Sequence, residues 1–305
     1  MGHTSSELLE IVSKTPDYSP PNQKPKIRAI TLTDFLQMEI PEREMLLSPF
    51  LTTQGLCLLY AKQGVGKTHV ALGIAYAVAT GGRFLKWKAP QPRKVLYIDG
   101  EMPAISMQER LRRISITEES ASNYRDYLRL ITPDLQERAM PDLSTKEGQL
   151  SIDSFVEDRD LLIVDNLSCL FRSGIENDAE SWLPAQEWGL ELRRRGKSIL
   201  FIHHAGKGGQ QRGTSKKEDT LDAVICLKHP TGYRSEEGAR FEVHFEKTRH
   251  FAGEDAAPFE VHLSEQDDGL WLWETQDAKI DPEVILVAEL TKRNIRSTKL
   301  KKKPG

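Results

Sequence analysis

Short apolar runs, each closed by a polar residue or a glycine, recur at wide spacing through the middle of the chain. Residues 56–60, 95–99, 161–165 and 198–203 are nearly continuous rather than alternating, as strands buried on both faces are. Segments of helical character lie between them. Residues 69–80 are stopped by Gly81-Gly82, 103–114 carry a proline at the start, and 180–195 end at Gly196. This alternation predicts an α/β fold: a doubly wound, mostly parallel sheet with helices on both faces. After residue 219 the rhythm shortens. Residues 221–227, 241–245, 259–263 and 270–274 read as strands with short links, and Asp267-Asp268-Gly269 is a hairpin-turn signal. They are expected to form an antiparallel extension at one edge.

Three parts are expected: an N-terminal arm over 1–45 with several prolines and a short helix near 5–13, a core over 46–275, and a tail over 276–305. No internal repeat is visible. The longest apolar stretches run to about eight residues, far short of the ~20 that span a bilayer. The opening Met1-Gly2-His3-Thr4 lacks a basic patch followed by an apolar core, so a cytoplasmic protein without a membrane partner is expected. Cys57, Cys169 and Cys226 stand alone in or beside apolar runs and read as small buried side chains, without disulfides. The net charge of −3 hides an imbalance: residues 292–303 hold seven basic residues and no acid, which leaves −10 on the remainder. Polynucleotide contact must therefore come from local basic loops or from this tail, which also suits a plain solubilising end.

The strongest chemical signal is Ala61-Lys62-Gln63-Gly64-Val65-Gly66-Lys67-Thr68, after a strand and before a helix. That is the context of a phosphate-binding loop for ATP, with backbone N–H groups and a helix N-terminus facing the phosphates. Gln63, Gly64, Val65, Gly66, Lys67, Thr68 and His69 form the candidate cradle; Lys67 would reach the β- and γ-phosphates and Thr68 would hold Mg²⁺. Ala61 replaces the usual first glycine. Asp165 ends an apolar strand, where a carboxylate supports the metal or caps a turn. Glu101 follows the strand 95–99 and is the candidate for polarising the attacking water; a Glu before a helix also serves as a dipole partner. Asp99 competes for that role, but its place at the strand end suits a structural one.

A P-loop, a Glu after the next strand and an Asp ending a third strand occur together in RecA-like ATPases, and this chain resembles that family. Asp99-Gly100-Glu101-Met102-Pro103, Val164-Asp165-Asn166-Leu167 and Phe201-Ile202-His203-His204-Ala205-Gly206-Lys207-Gly208 look most like the plasmid replication helicases of the RepA type, over about residues 46–275. The resemblance implies a hexameric ATP-driven helicase on single-stranded DNA, serving replication of a plasmid, phage or other mobile element. By position His204 matches the family's γ-phosphate sensor and His203 the residue before it. Adjacent strand residues point to opposite faces, so the two are not expected to share a metal.

Residues 206–217 carry Lys207, Arg212, Lys216 and Lys217 with no acid, which suits backbone contact to DNA in a central channel; a solvated loop has the same composition. Arg212-Gly213-Thr214-Ser215 stands where the resembling helicases have Arg-Gly-Ser-Ser. Lys247-Thr248-Arg249 closes a strand, and the resemblance implies an arginine finger in trans, Arg249, with Lys247 beside it on the γ-phosphate. A self-associated ring would then be needed for activity. Trp182 and Trp188, six residues apart, are not expected to share a face, whereas Trp271 and Trp273 alternate along one strand face and suit core or an adenine shelf. A RecA-like DNA-dependent ATPase without unwinding is the alternative. A small-molecule acceptor is not expected, because the Lys-x-Arg pair follows a strand and not a lid helix.

Overall fold

The computed structural model describes residues 27–115, 126–172, 182–205, 219–266 and 271–278. The chain divides into two units, Met1–Glu42 and Arg43–Gly305. In the first, helix α1 (Leu32–Gln37) starts at Thr31, whose hydroxyl accepts from the Asp34 N–H at 3.2 Å. The helix expected near 5–13 lies outside the described residues.

The second unit opens with β1 (Met45–Leu47), β2 (Leu51–Thr52) and β3 (Leu56–Ala61), and then α2 (Lys67–Thr80). A small ribbon, β4 (Arg83–Phe84) with β5 (Trp87–Lys88), precedes β6 (Val95–Asp99), α3 (Ala104–Ser115) and β7 (Leu128–Ile131). Next come α4 (Lys146–Val156), β8 (Leu161–Asp165), α5 (Leu167–Leu170), α6 (Leu183–Arg194) and β9 (Ser198–His204). The last strands are β10 (Ala223–Lys228), β11 (Arg240–Thr248), β12 (Phe259–Glu265) and β13 (Trp271–Asp277).

Nine strands form one sheet in the order β13-β12-β11-β10-β3-β9-β8-β6-β7. From β10 to β7 every pairing is parallel; β11, β12 and β13 add antiparallel strands at one edge. The architecture is the expected α/β, consistent with a RecA-like P-loop fold. Two details differ. Residues 221–227 were expected in the antiparallel extension, yet β10 runs parallel to β3, with Ala223 beside Cys57 and Leu227 beside Ala61. Strand β7, half exposed at the other edge, carries no continuous apolar run and was not expected.

Alternation along each strand splits the core into two. Cys57, Leu59 and Ala61 of β3 pack on the α2 side, and Leu56, Leu58 and Tyr60 on the side of α4, α5 and α6. Helix α2 is apolar nearly all round, because the sheet covers one side while Phe84 and Trp273 cover part of the other. Each of its fully buried Val, Leu and Ile side chains contributes about 1.5–3 kcal/mol. The helix stops at Gly81, whose φ of 71° is left-handed and whose N–H bonds Ala77 O.

Trp182 and Trp188 do share surroundings, contrary to expectation. Both are buried in the same cluster, because Trp182 precedes α6 instead of lying within it; it meets Phe201 edge-on at 5.2 Å. All three cysteines are free thiols, and Cys57 and Cys226 are buried. Among the described residues, no helix is long and apolar enough to cross a membrane.

Candidate functional site

The carboxyl ends of the central strands converge. Ala61 pairs with His204, and Asp99 with Asp165, so β3, β6, β8 and β9 all finish at one end of the sheet. Ligands gather there in doubly wound sheets. A cleft of about 350 Å³ is lined at this end by Gln63, Gly64, Gly66, Lys67, Thr68 and His69, with Glu101, Asp165 and His204 across from them.

Helix α2 faces this cleft with its amino end. The N-cap is Gly66, at φ 123°, with no side-chain cap and no acid in the first turn, so the end N–H groups of a 14-residue helix stay open to an anion. A Cβ at Gly66 would stand 3.0 Å from the Phe241 ring in a left-handed conformation, which explains the glycine. Lys67 Nζ donates to Ala61 O at 3.1 Å and Lys62 O at 3.0 Å, which leaves one ammonium N–H for a ligand. Burial holds its pKa below the ordinary value, while Asp165 and Glu101 pull the other way.

Asp165 is buried and accepts from the Tyr97 hydroxyl at 2.6 Å, and the Thr68 hydroxyl also bonds to it. Burial raises its pKa, against those two hydrogen bonds and Lys67. Asp99 is buried as well and accepts from the N–H groups of Met102 at 2.8 Å and Glu101 at 3.3 Å. It therefore shapes the loop that carries Glu101. Glu101 itself is half exposed and accepts from Asn166 Nδ2 at 2.6 Å, with His204 Nε2 at 3.6 Å. Burial first, then Lys67, lowers the His204 pKa, against the pull of Glu101 and Asp165.

The oxygen donors of Thr68 and Asp165, in contact beside Lys67 and an open helix end, fit a hard divalent cation carrying polyphosphate. Two residues of the expected cradle differ from their neighbours. Val65 turns its apolar side chain into the core, so only its backbone is on offer. His69 packs its ring 5.0 Å from Trp271 and 6.3 Å from Trp273, and burial pushes its pKa down to about 4. The two tryptophans share a face as expected, and Trp273 also packs on Phe84 at 5.4 Å.

Lys247 and Arg249 do not reach this cleft. Thr248 pairs with Ala223, which lies beside Cys57, so the end of β11 sits at the far end of the sheet from the P-loop. There Arg249 Nε donates to Leu221 O at 2.8 Å, and a second guanidinium nitrogen donates to Asp219 O. Asp222, buried beneath, receives Arg193 at 2.6 Å, Arg43 at 3.3 Å and the Leu56 N–H at 2.9 Å. The basic segment 206–217 and the cations of 292–303 lie outside the described residues.

The cleft holds residues that the sequence did not single out. Asn166 and Arg110 line it, and Tyr97 braces Asp165 from below. The Asp165-Asn166-Leu167 junction was itself a signal, because an Asn opening a short helix is an N-cap whose amide nitrogen remains available. A protein-family model described as an AAA domain matches residues 21–210, well over half of the chain.

Proposed function

The chain belongs to this AAA-domain family of P-loop ATPases, and from that premise we propose that it is an ATP-driven motor on single-stranded DNA, most like the RepA-type ring helicases. The observation that carries the reading is the placement of Lys67 and Arg249 at opposite ends of one sheet. In a head-to-tail ring of copies, the far end of one sheet would meet the neighbour's cleft, where Arg249 would serve the neighbour's nucleotide.

In this reading the open end of α2 and Lys67 hold the β- and γ-phosphates. Thr68 and Asp165 hold Mg²⁺, which would neutralise charge on the phosphate oxygens. Glu101 takes a proton from the attacking water as the new O–P bond forms and ADP departs with the electrons of the broken bond. His204 contacts the γ-phosphate. Arg249 and Lys247 of the adjoining copy stabilise the charge that develops in transfer, a role worth on the order of 10³–10⁵ in rate. In sequence the basic segment 206–217 begins two residues after His204, and in this reading it carries the contact to DNA. The expected bounds at 45 and 276 give way to β1, which begins at Met45, and β13, which ends at Asp277; the segments before Arg43 and after Asp277 are proposed as parts outside the catalytic core.

Strand displacement from a partial duplex, with ATP and Mg²⁺, tests the motor. ATP-dependent release of the strand supports it. DNA-stimulated hydrolysis without release would leave a RecA-like DNA-dependent ATPase that loads or regulates instead of unwinding.

A further inference from the structure

We propose that Asn166 is a positioning residue that fixes Glu101 and His204 relative to each other; the inference rests on the reading of Glu101 as the proton acceptor. Asn166 is 2% exposed and follows Asp165 directly. Its two amide ends are used differently. Oδ1 accepts from the Cys169 N–H at 3.2 Å and caps α5, which fixes the orientation of the amide. Nδ2 then faces the cleft, 2.6 Å from Glu101 Oε2 and 3.1 Å from His204 Nε2.

An amide nitrogen has two N–H bonds in a rigid planar fork. One goes to the carboxylate and the other to the imidazole, so both partners are acceptors. This assigns the His204 proton to Nδ1 and sets the tautomer of the sensor. The distance of 3.6 Å between Glu101 Oε2 and His204 Nε2 then follows from sharing one donor, not from an ion pair. The backbone keeps the fork in place. Gly100 N donates to Asp165 O at 2.8 Å, and a Cβ at Gly100 would come within 2.9 Å of Cys169 Cβ and Leu170 Cγ. The Glu101 loop is thus pressed onto the helix that Asn166 caps. A γ-phosphate sensed at His204 bears directly on the orientation of Glu101 through a single side chain.

The cap and the fork can be separated. Asn166→Ser and Asn166→Asp both keep a good N-cap oxygen, but neither offers two N–H donors from one atom. Hydrolysis should be compared in the full chain for wild type, both variants and Glu101→Gln. Affinity for a fluorescent ATP analogue and the melting temperature should be followed alongside. In Asn166→Ser and Asn166→Asp the expected result is a kcat about ten- to a hundred-fold lower, with nucleotide affinity and melting temperature near wild type. Wild-type kcat in both variants, with Glu101→Gln inactive, overturns the positioning role and leaves Asn166 a cap alone. A Glu101→Gln protein that hydrolyses normally removes the proton-acceptor reading itself and the inference with it.

Discussion

Lys67 and Arg249 stand at opposite ends of the same sheet: the strand that ends at Thr248, just before Arg249, pairs through Ala223 to Cys57, near the start of the strand that leads into Lys67. The Cys57-to-Ala61 stretch alone separates the two ends by roughly 13 Å. One chain therefore cannot bring both groups to one nucleotide in this fold, while a head-to-tail assembly can. Arg249→Ala should keep nucleotide binding and lose hydrolysis by about a thousandfold. Mixing it with Lys67→Ala should restore activity, because roughly a quarter of the interfaces in a random ring join an intact cleft to an intact Arg249. Two inactive proteins that stay inactive when mixed, despite assembling, would contradict action in trans.

Lys67 spends two of its ammonium N–H groups on the carbonyls of Ala61 and Lys62. Its replacement removes the ligand-facing charge and also loosens the loop. Lys67→Ala should fold and should lower hydrolysis by about a hundredfold or more, with nucleotide affinity falling in parallel. Calorimetric titration with ATP checks the binding half; unchanged affinity would move the phosphate site elsewhere.

Burial pushes the Asp99 carboxyl up to about 7, against the N–H groups of Met102 and Glu101 and helped by the charges of Asp165 and Glu101. Between its ordinary value of 3.8 and about 7 the folded protein holds a proton that the unfolded chain has released. The contribution of this group to stability therefore falls as pH rises through that window. Asp99→Asn keeps an acceptor for Met102 and removes the titration. It should melt above the wild type at pH 8, with the margin shrinking toward pH 4; a margin independent of pH in ligand-free protein would contradict this.

Gly73 lies where a side chain has no room. A Cβ there would stand 2.2 Å from Phe84 Cε2, so α2 and the β4–β5 ribbon approach as closely as a bare backbone allows. Gly73→Ala should cost about 1–3 kcal/mol, read as a lower melting temperature, with the residues of the cleft unchanged. An alanine variant as stable as wild type would mean that Phe84 moves aside freely.

The P-loop was legible because all its parts are contiguous, and Glu101, Asp165 and His204 because each follows or ends an apolar strand. Those signals are local. Asn166, Arg110 and Tyr97 escaped because their meaning comes from which strands are neighbours: Tyr97 matters only once β6 lies beside β8. The direction of β10 escaped for the same kind of reason. A short apolar run is buried in either direction, and only pairing with β3 reveals that residues 221–227 continue the parallel set. Edge strand β7 is half exposed and lacks the apolar run that marked the others. Trp182 misled because helical spacing was applied to a residue that precedes its helix.

The most direct measurement is steady-state ATP hydrolysis with and without single-stranded DNA, with Lys67→Ala as the blank. A rate that rises several-fold or more with DNA, and falls to the blank in Arg249→Ala, is the expected result. A rate indifferent to DNA would contradict the motor and point to a protein partner or a small phosphate acceptor.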